Sequence, residues 1–278
     1  MELTFYMGFS QMLAEDGVEK TLRFTKEKGF TSVELFAMAG EDFAGNLKSL
    51  DEARKLANQL QEYGLTVTCY SVLAPLLGER AEQVEEELKM HAEMAKILGS
   101  PFLHHTIVPW LTYPKNAPTY EQALQAVLPA VILVADYCKQ IGICCLYEEQ
   151  GLYFNGVERF GRFFNELKKH CTNVGVCGDC GNIMFVDEST ADFFEVYKAE
   201  IRHVHLKDYK YTKGQVGEEG YTTKGGNGLV DMPFGKGSVD FPACIKSLQS
   251  VGYTGAYAFE MEHIAYVEES MRYIKPIL

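Results

Sequence analysis

Along this chain, short β-rich runs alternate eight times with longer amphipathic stretches, and no other feature limits the fold as strongly. The β-rich runs are Leu3–Phe9, Ser32–Phe36, Leu65–Val72, Pro101–Val108, Ile143–Glu148, Val174–Asp179, Arg202–Lys207 and Ala256–Glu260. Helical periodicity fills the intervals, at Val18–Lys28, Leu50–Tyr63, Arg80–Leu98, Tyr120–Gln140, Val157–His170, Thr190–Ala199 and Phe241–Val251, with a last helix running through Met271. Gly29, Gly64 and Gly142 stand where such helices stop. Alternating β and α elements predict a parallel sheet, and eight units can close it into a barrel. An open doubly wound sheet would carry a Gly-rich dinucleotide turn after its first strand, and Met7-Gly8-Phe9-Ser10 is no such turn. The expected fold class is therefore α/β, a single (β/α)8 barrel domain spanning 1–278, a length that one barrel fills.

Composition removes several function classes. Hydrophobic residues at 47% and charged residues at 23% exclude disorder and low-complexity architectures. Lys and Arg total 26 against 38 Asp and Glu, and the resulting net charge of −12 argues against a nucleic-acid or anionic-membrane partner. Eight cysteines do not imply a disulfide framework in a chain long enough to build a core. The first residues, Met1-Glu2-Leu3-Thr4-Phe5, lack the basic and apolar regions of a signal peptide, and no later run is expected to reach the length of a membrane span. Reduced thiols in a cytoplasmic protein are the expectation, with room for a homo-oligomer. Cys177-x-x-Cys180 brackets a strand end without a second pair at zinc-ribbon spacing, so a redox or zinc role is not expected of it. Gly235-Lys236-Gly237-Ser238 lacks the upstream glycine of a phosphate loop and is expected to be a turn. The long Gly-rich connection Lys213–Ser238 is expected to form a mobile cover over the functional end.

Chemistry in a (β/α)8 barrel gathers at the C-terminal ends of the strands. Four successive strands here end in a carboxylate or an imidazole: Glu148, Asp179, His205 and Glu260. Three carboxylates and one imidazole form a mixed oxygen and nitrogen set suited to one divalent ion, with Mn, Co, Mg and Zn all open. Strand alternation puts His203, His205 and Lys207 on one face, and the deeper His203 is expected to be a packed, hydrogen-bonded neighbour. His104 is read as either a substrate contact or a buried structural histidine. Glu34, ending the second strand, is either a partner behind a ligand or a substrate contact. Met7, Phe36, Trp110 and Tyr113 are candidates for the core or a pocket wall.

These residues resemble the xylose isomerase-like TIM barrel family, the sugar phosphate isomerases and epimerases. The similarity rests on Glu148 in Tyr147-Glu148-Glu149-Gln150-Gly151, Asp179 in Asp179-Cys180-Gly181-Asn182, the His205-Leu206-Lys207-Asp208 run, Phe259-Glu260, and the turn Gly235–Phe241 before the seventh helix. The resemblance implies a metal held by Glu148, Asp179, His205 and Glu260, with Glu148 and Glu260 also carrying protons as catalytic groups. Asn182 stands where members often have His, and Glu149-Gln150 where many have Asn-His; both positions are ones where substrate is usually touched. Lys207, Asn182, His104 and Glu34 are the substrate-binding candidates, Lys207 either as a donor to an oxyanion or as the partner of a carboxylate. The function expected is divalent-metal-dependent isomerisation or epimerisation of a small sugar or polyol-derived α-hydroxy carbonyl compound through an enediolate. The alternatives are a metal-dependent lyase or dehydratase on a related keto-sugar, an endonuclease IV-like nuclease, and a non-catalytic sugar-binding barrel.

Overall fold

The computed structural model describes residues 2–214, 220–261 and 263–278. Strands β1 (Glu2–Phe5), β2 (Ser32–Met38), β3 (Thr66–Leu73), β4 (Phe102–His105), β5 (Cys144–Tyr147), β6 (Val174–Asp179) and β7 (Ile201–Leu206) pair in parallel in chain order. The last barrel strand, Ala256–Phe259, pairs with β1 and with β7 and closes the cylinder. Helices cover the outside, so the strands turn apolar side chains toward them: the alternate residues Val33, Leu35 and Ala37 of β2 are at most 2% exposed. Register shifts fall between Val33 and Glu34, near the start of β2, and between Val176 and Cys177, close to the end of β6; Glu34 therefore lies inside β2 and does not end it as expected, because the strand continues to Met38.

Two segments depart from the eightfold alternation. The first strand was expected to run through Phe9, but it stops at Phe5, and Met7–Asp16 forms helix α1 ahead of helix α2 (Val18–Glu27). Gly8 permits this turn, since a Cβ there would lie 2.8 Å from the Phe5 ring. After β7, Tyr209–Thr212 (β8), Tyr221–Thr222 (β9) and Gly228–Asp231 (β10) form a three-stranded antiparallel sheet of order β8-β10-β9. Part of the connection expected as a mobile cover is thus regular structure, while its residues 215–219 lie outside the described residues. The 235–238 turn follows, with the Asp208 carboxylate accepting backbone N–H bonds from Gly235 (2.9 Å), Gly237 (2.9 Å) and Val239 (3.2 Å).

The helices follow the sequence periodicity closely. They are α3 (Leu50–Glu62), α4 (Ala81–Ile97), α5 (Tyr120–Ile141), α6 (Val157–Leu167), α7 (Thr190–Tyr197), α8 (Phe241–Ser250) and α9 (Val267–Ile274). Helix α5 begins in a capping box between Thr119 and Gln122 and ends at left-handed Gly142. The expectation that no run reaches span length is corrected here, because α5 is long and apolar enough by length and composition. Its buried residues, Tyr120, Ala123, Val127, Val131, Val134, Ala135 and Cys138, nevertheless form one stripe at helical spacing, with Glu121, Asp136 and Lys139 exposed opposite. Counts of charge did not reveal this, since the polar face of α5 is mostly uncharged. All eight cysteines are free thiols, Cys177 and Cys180 among them, both buried.

Candidate active site

Glu148, Asp179, His205 and Glu260 leave the ends of β5, β6, β7 and the last barrel strand and meet in the barrel mouth. One ligand atom from each lies within 4.8 Å of the others. His205 Nδ1 is 3.0 Å from Glu260 Oε2, 3.4 Å from Glu148 Oε1 and 4.0 Å from Asp179 Oδ2. Each group is held from behind. Asp179 Oδ1 accepts backbone N–H bonds from Gly181 (2.6 Å) and Asn182 (2.5 Å), which turns Oδ2 toward the centre. Asn182 Nδ2 donates to Glu148 Oε1 at 2.6 Å, and His104 Nε2 lies 3.1 Å from Glu148 Oε2. Lys207 Nζ lies 2.7 Å from Glu260 Oε1, 3.6 Å from Asp179 Oδ2 and 3.1 Å from Asn182 Oδ1.

Behind this group lies a second, fully buried layer. Glu34 is 0% exposed; it contacts His203 Nε2 at 2.6 Å and His205 Nε2 at 3.0 Å, and accepts a bond from the Ser71 hydroxyl. Ser71 Oγ is also 2.9 Å from His104 Nδ1. Of the two readings open for Glu34, this geometry favours the partner behind a ligand: both its oxygens face imidazoles and a hydroxyl. Tyr6 stacks on His205 with ring centroids 4.7 Å apart. Neither Tyr6 nor Ser71 was a sequence candidate. Drawing the first strand through Phe9 hid the fact that Tyr6 follows a strand end, and Ser71 stands beside His104 only through the β3–β4 register.

The electrostatics follow from this packing. Burial alone would raise the Glu34 carboxyl, but the charges of His205 and His203 and their hydrogen bonds outweigh it and hold it well below the usual carboxylate range. Glu148 is likewise opposed by burial yet held low by His104 and His205, and Glu260 is held low by Lys207 and His205. Burial pushes Asp179 well up against the pull of Lys207. His205 is raised despite burial, by Cys177 and by the carboxylates of Glu34 and Glu148.

The donor set fits a divalent cation. Three carboxylates crowd one imidazole; Asp179 Oδ2 is buried without a hydrogen-bond partner among the described residues, and Glu260 Oε2 lies 3.0 Å from His205 Nδ1. A buried oxygen left without a partner is costly unless a cation answers it. Were a cation to displace the Nδ1 proton of His205, Nε2–H directed at Glu34 would leave the Nδ1 lone pair facing the same centre, the arrangement in which an outer carboxylate fixes a metal-binding imidazole.

Two adjoining cavities open onto these groups. The inner one, ≈ 180 Å³, is walled by Tyr6, Phe36, His104, Thr106, Glu148 and Gln150 among others. The outer one, ≈ 240 Å³, is bounded by Lys207 and Asn182 on the barrel side and by Tyr209 and Tyr221 of the three-stranded sheet. Met7 and Phe36 thus line the site, whereas Tyr113 is 41% exposed and bonds Leu152 O.

A closed parallel barrel whose strand ends converge as a carboxylate and imidazole cluster defines the class: a (β/α)8 protein with a cluster of acidic and histidine side chains at its mouth. The family model for the xylose isomerase-like TIM barrel matches residues 22–277, and the chain belongs to that family. Among solved structures, D-allulose 3-epimerase from Methylomonas sp. aligns with a TM-score of 0.74 at 17% identity, covering 100% of this chain and 98% of its own. A xylose isomerase-like TIM barrel protein from Mycobacterium smegmatis in complex with magnesium gives 0.74 at 16%, over 99% and 96%. A probable 3-DHS dehydratase involved in petrobactin synthesis from Bacillus anthracis gives 0.71 at 16%, over 99% and 98%. No curated protein matches the sequence.

Proposed function

We propose that the protein is a divalent-metal-dependent isomerase or epimerase acting on an α-hydroxy carbonyl sugar through an enediolate. The observation that carries the reading is the meeting of Glu148, Asp179, His205 and Glu260 at one centre, with Asp179 Oδ2 buried there without a hydrogen-bond partner among the described residues. Asp179 and His205 hold the cation, together with Glu148 and Glu260. When bound, it supplies positive charge for the two adjacent substrate oxygens as the enediolate develops. Glu148 and Glu260 are the groups that remove and return the proton, and both are held in the ionised form that can take one up. His104 and Asn182 fix the Glu148 carboxylate, and Lys207 fixes that of Glu260 while offering N–H donors at the mouth. Glu34 acts through His205 as a positioning residue. The epimerase from Methylomonas sp. supports the class of reaction; the Bacillus anthracis relative, named a dehydratase, marks elimination from the same enediolate as the rival outcome.

The test is deuterium incorporation. Metal-loaded protein is incubated in D₂O with ketoses, aldoses, inososes and keto-glycosides, and exchange beside the carbonyl is read by NMR. Glu148→Gln and Glu260→Gln, with metal occupancy measured, should each abolish complete turnover, while the variant that keeps the proton-removing glutamate retains exchange, because exchange needs removal alone. A Gln variant with full metal and near-normal turnover removes that glutamate from the proton-transfer role.

A further inference from the structure

We propose that the substrate is an uncharged keto-sugar carrying an apolar, ring-sized substituent, the sugar seated in the inner cavity and the substituent in the outer one. The inference rests on the enolisation reading above and adds the substrate class. The two cavities share Met7, Leu73, Gln150 and Glu260, so they form one continuous cleft. Their walls differ in chemistry. The inner walls are polar, carrying Glu148, His104, Thr106 and Ser71, and suit a small polyol. The outer wall is a three-ring cluster of Phe185, Tyr209 and Tyr221, with centroids 5.4 to 6.1 Å apart, facing Pro109 and Leu111.

The polar side chains at the floor of the outer cavity are largely committed to one another. Asn182 donates to Glu148 and accepts from Lys207, and Lys207 is paired with Glu260. Gln150 differs: its Oε1 is buried with no partner among the described residues, where the two cavities join, placed to accept from one sugar hydroxyl. The outer cavity offers a polyhydroxyl tail few uncommitted polar groups for the water it would lose, whereas an apolar ring is stabilised against the rings of Phe185, Tyr209 and Tyr221 and against Pro109 and Leu111. A phosphoryl group fits no better. Lys207 is the one Lys or Arg lining either cavity among the described residues, it is already paired, and residues 215–219 and 262 contain neither type. Carried as an aglycone on the anomeric carbon, such a substituent leaves the carbonyl to another carbon of the ring.

The metal-loaded full chain is assayed for deuterium exchange on 3-keto-hexopyranosides bearing a methyl, phenyl or glucosyl group at C1, and on the methyl glycoside 6-phosphate; calorimetry measures binding of the same four. The phenyl glycoside should exceed the methyl glycoside at least tenfold in kcat/KM and in affinity. Leu111→Ala and Tyr221→Ala should each reduce that ratio severalfold. Exchange with a phenyl-to-methyl ratio near one, or a tenfold preference for the glucosyl or phosphorylated compound, overturns the proposal and leaves enolisation standing. Tenfold tighter binding of the phenyl glycoside with no exchange on any compound overturns the enolisation reading and keeps the substituent. No exchange together with equal binding overturns both.

Discussion

His205 shows how one side chain is given its chemistry by residues far away in sequence. Its Nε2 is bound to Glu34, 171 positions earlier, and its ring lies on Tyr6. Glu34→Gln keeps the shape but removes the charge that orients the imidazole, and metal affinity should weaken about 10- to 100-fold. Titration of the apoprotein with Mn²⁺ checks this, and unchanged affinity would remove Glu34 from its positioning role. A second residue-scale prediction concerns His91, buried on α4 with Nδ1 3.2 Å from the Tyr70 hydroxyl. Burial lowers its pKa from 6.5 to about 4, so the folded state holds it neutral while the unfolded state takes up a proton. Its contribution is full above pH 6.5, is lost as pH falls toward 4, and levels off below; its size is about 3 kcal/mol at most. Urea midpoints of wild type and His91→Gln should therefore converge between pH 7 and pH 4.

At the scale of elements, the three-stranded sheet depends on one carboxylate. Asp187 is the one non-glycine residue with a left-handed backbone among the described residues, at φ 61°. Its side chain accepts from the Thr223 hydroxyl (2.7 Å), Gly225 N (2.8 Å), Asn227 Nδ2 (2.9 Å) and the Tyr211 hydroxyl (3.0 Å). Asp187→Ala should free the sheet locally at a cost of about 1–3 kcal/mol. Amide exchange in β8 and β10 should accelerate while protection in β5 and β6 is retained; equal acceleration in all four strands would mean that Asp187 supports the barrel instead. Charge patterning could not expose this anchor, because its donors lie 24 to 40 residues away.

For the whole molecule, cation binding and stability are linked. A cation at 100 times its Kd stabilises the folded state by about 2.7 kcal/mol. Chelation should accordingly lower the Tm by about 5–10 °C, and His205→Ala should abolish most of that difference. A chelator effect equal in wild type and variant would place the cation elsewhere. Reductant should leave the Tm unchanged, since all eight cysteines are free.

The strand and helix order was legible because one-dimensional periodicity survives folding when each element buries one face. The strand β6 matches its expected bounds, Val174–Asp179, and α3, α4 and α8 differ by a residue or two at their ends. The placement of Glu148, Asp179, His205 and Glu260 at strand ends was legible for the same reason, since parallel strands deliver their last residues to one rim. The sequence could not supply what depends on register and closure: that Glu34 reaches His205 across the barrel, that Tyr6 stacks on it, or that Tyr209 and Tyr221 become a cavity wall. Those contacts join residues whose separation along the chain carries no period; barrel closure brings Glu34 and Tyr6 to His205, and the pairing of β8 and β9 with β10 brings Tyr209 and Tyr221 together.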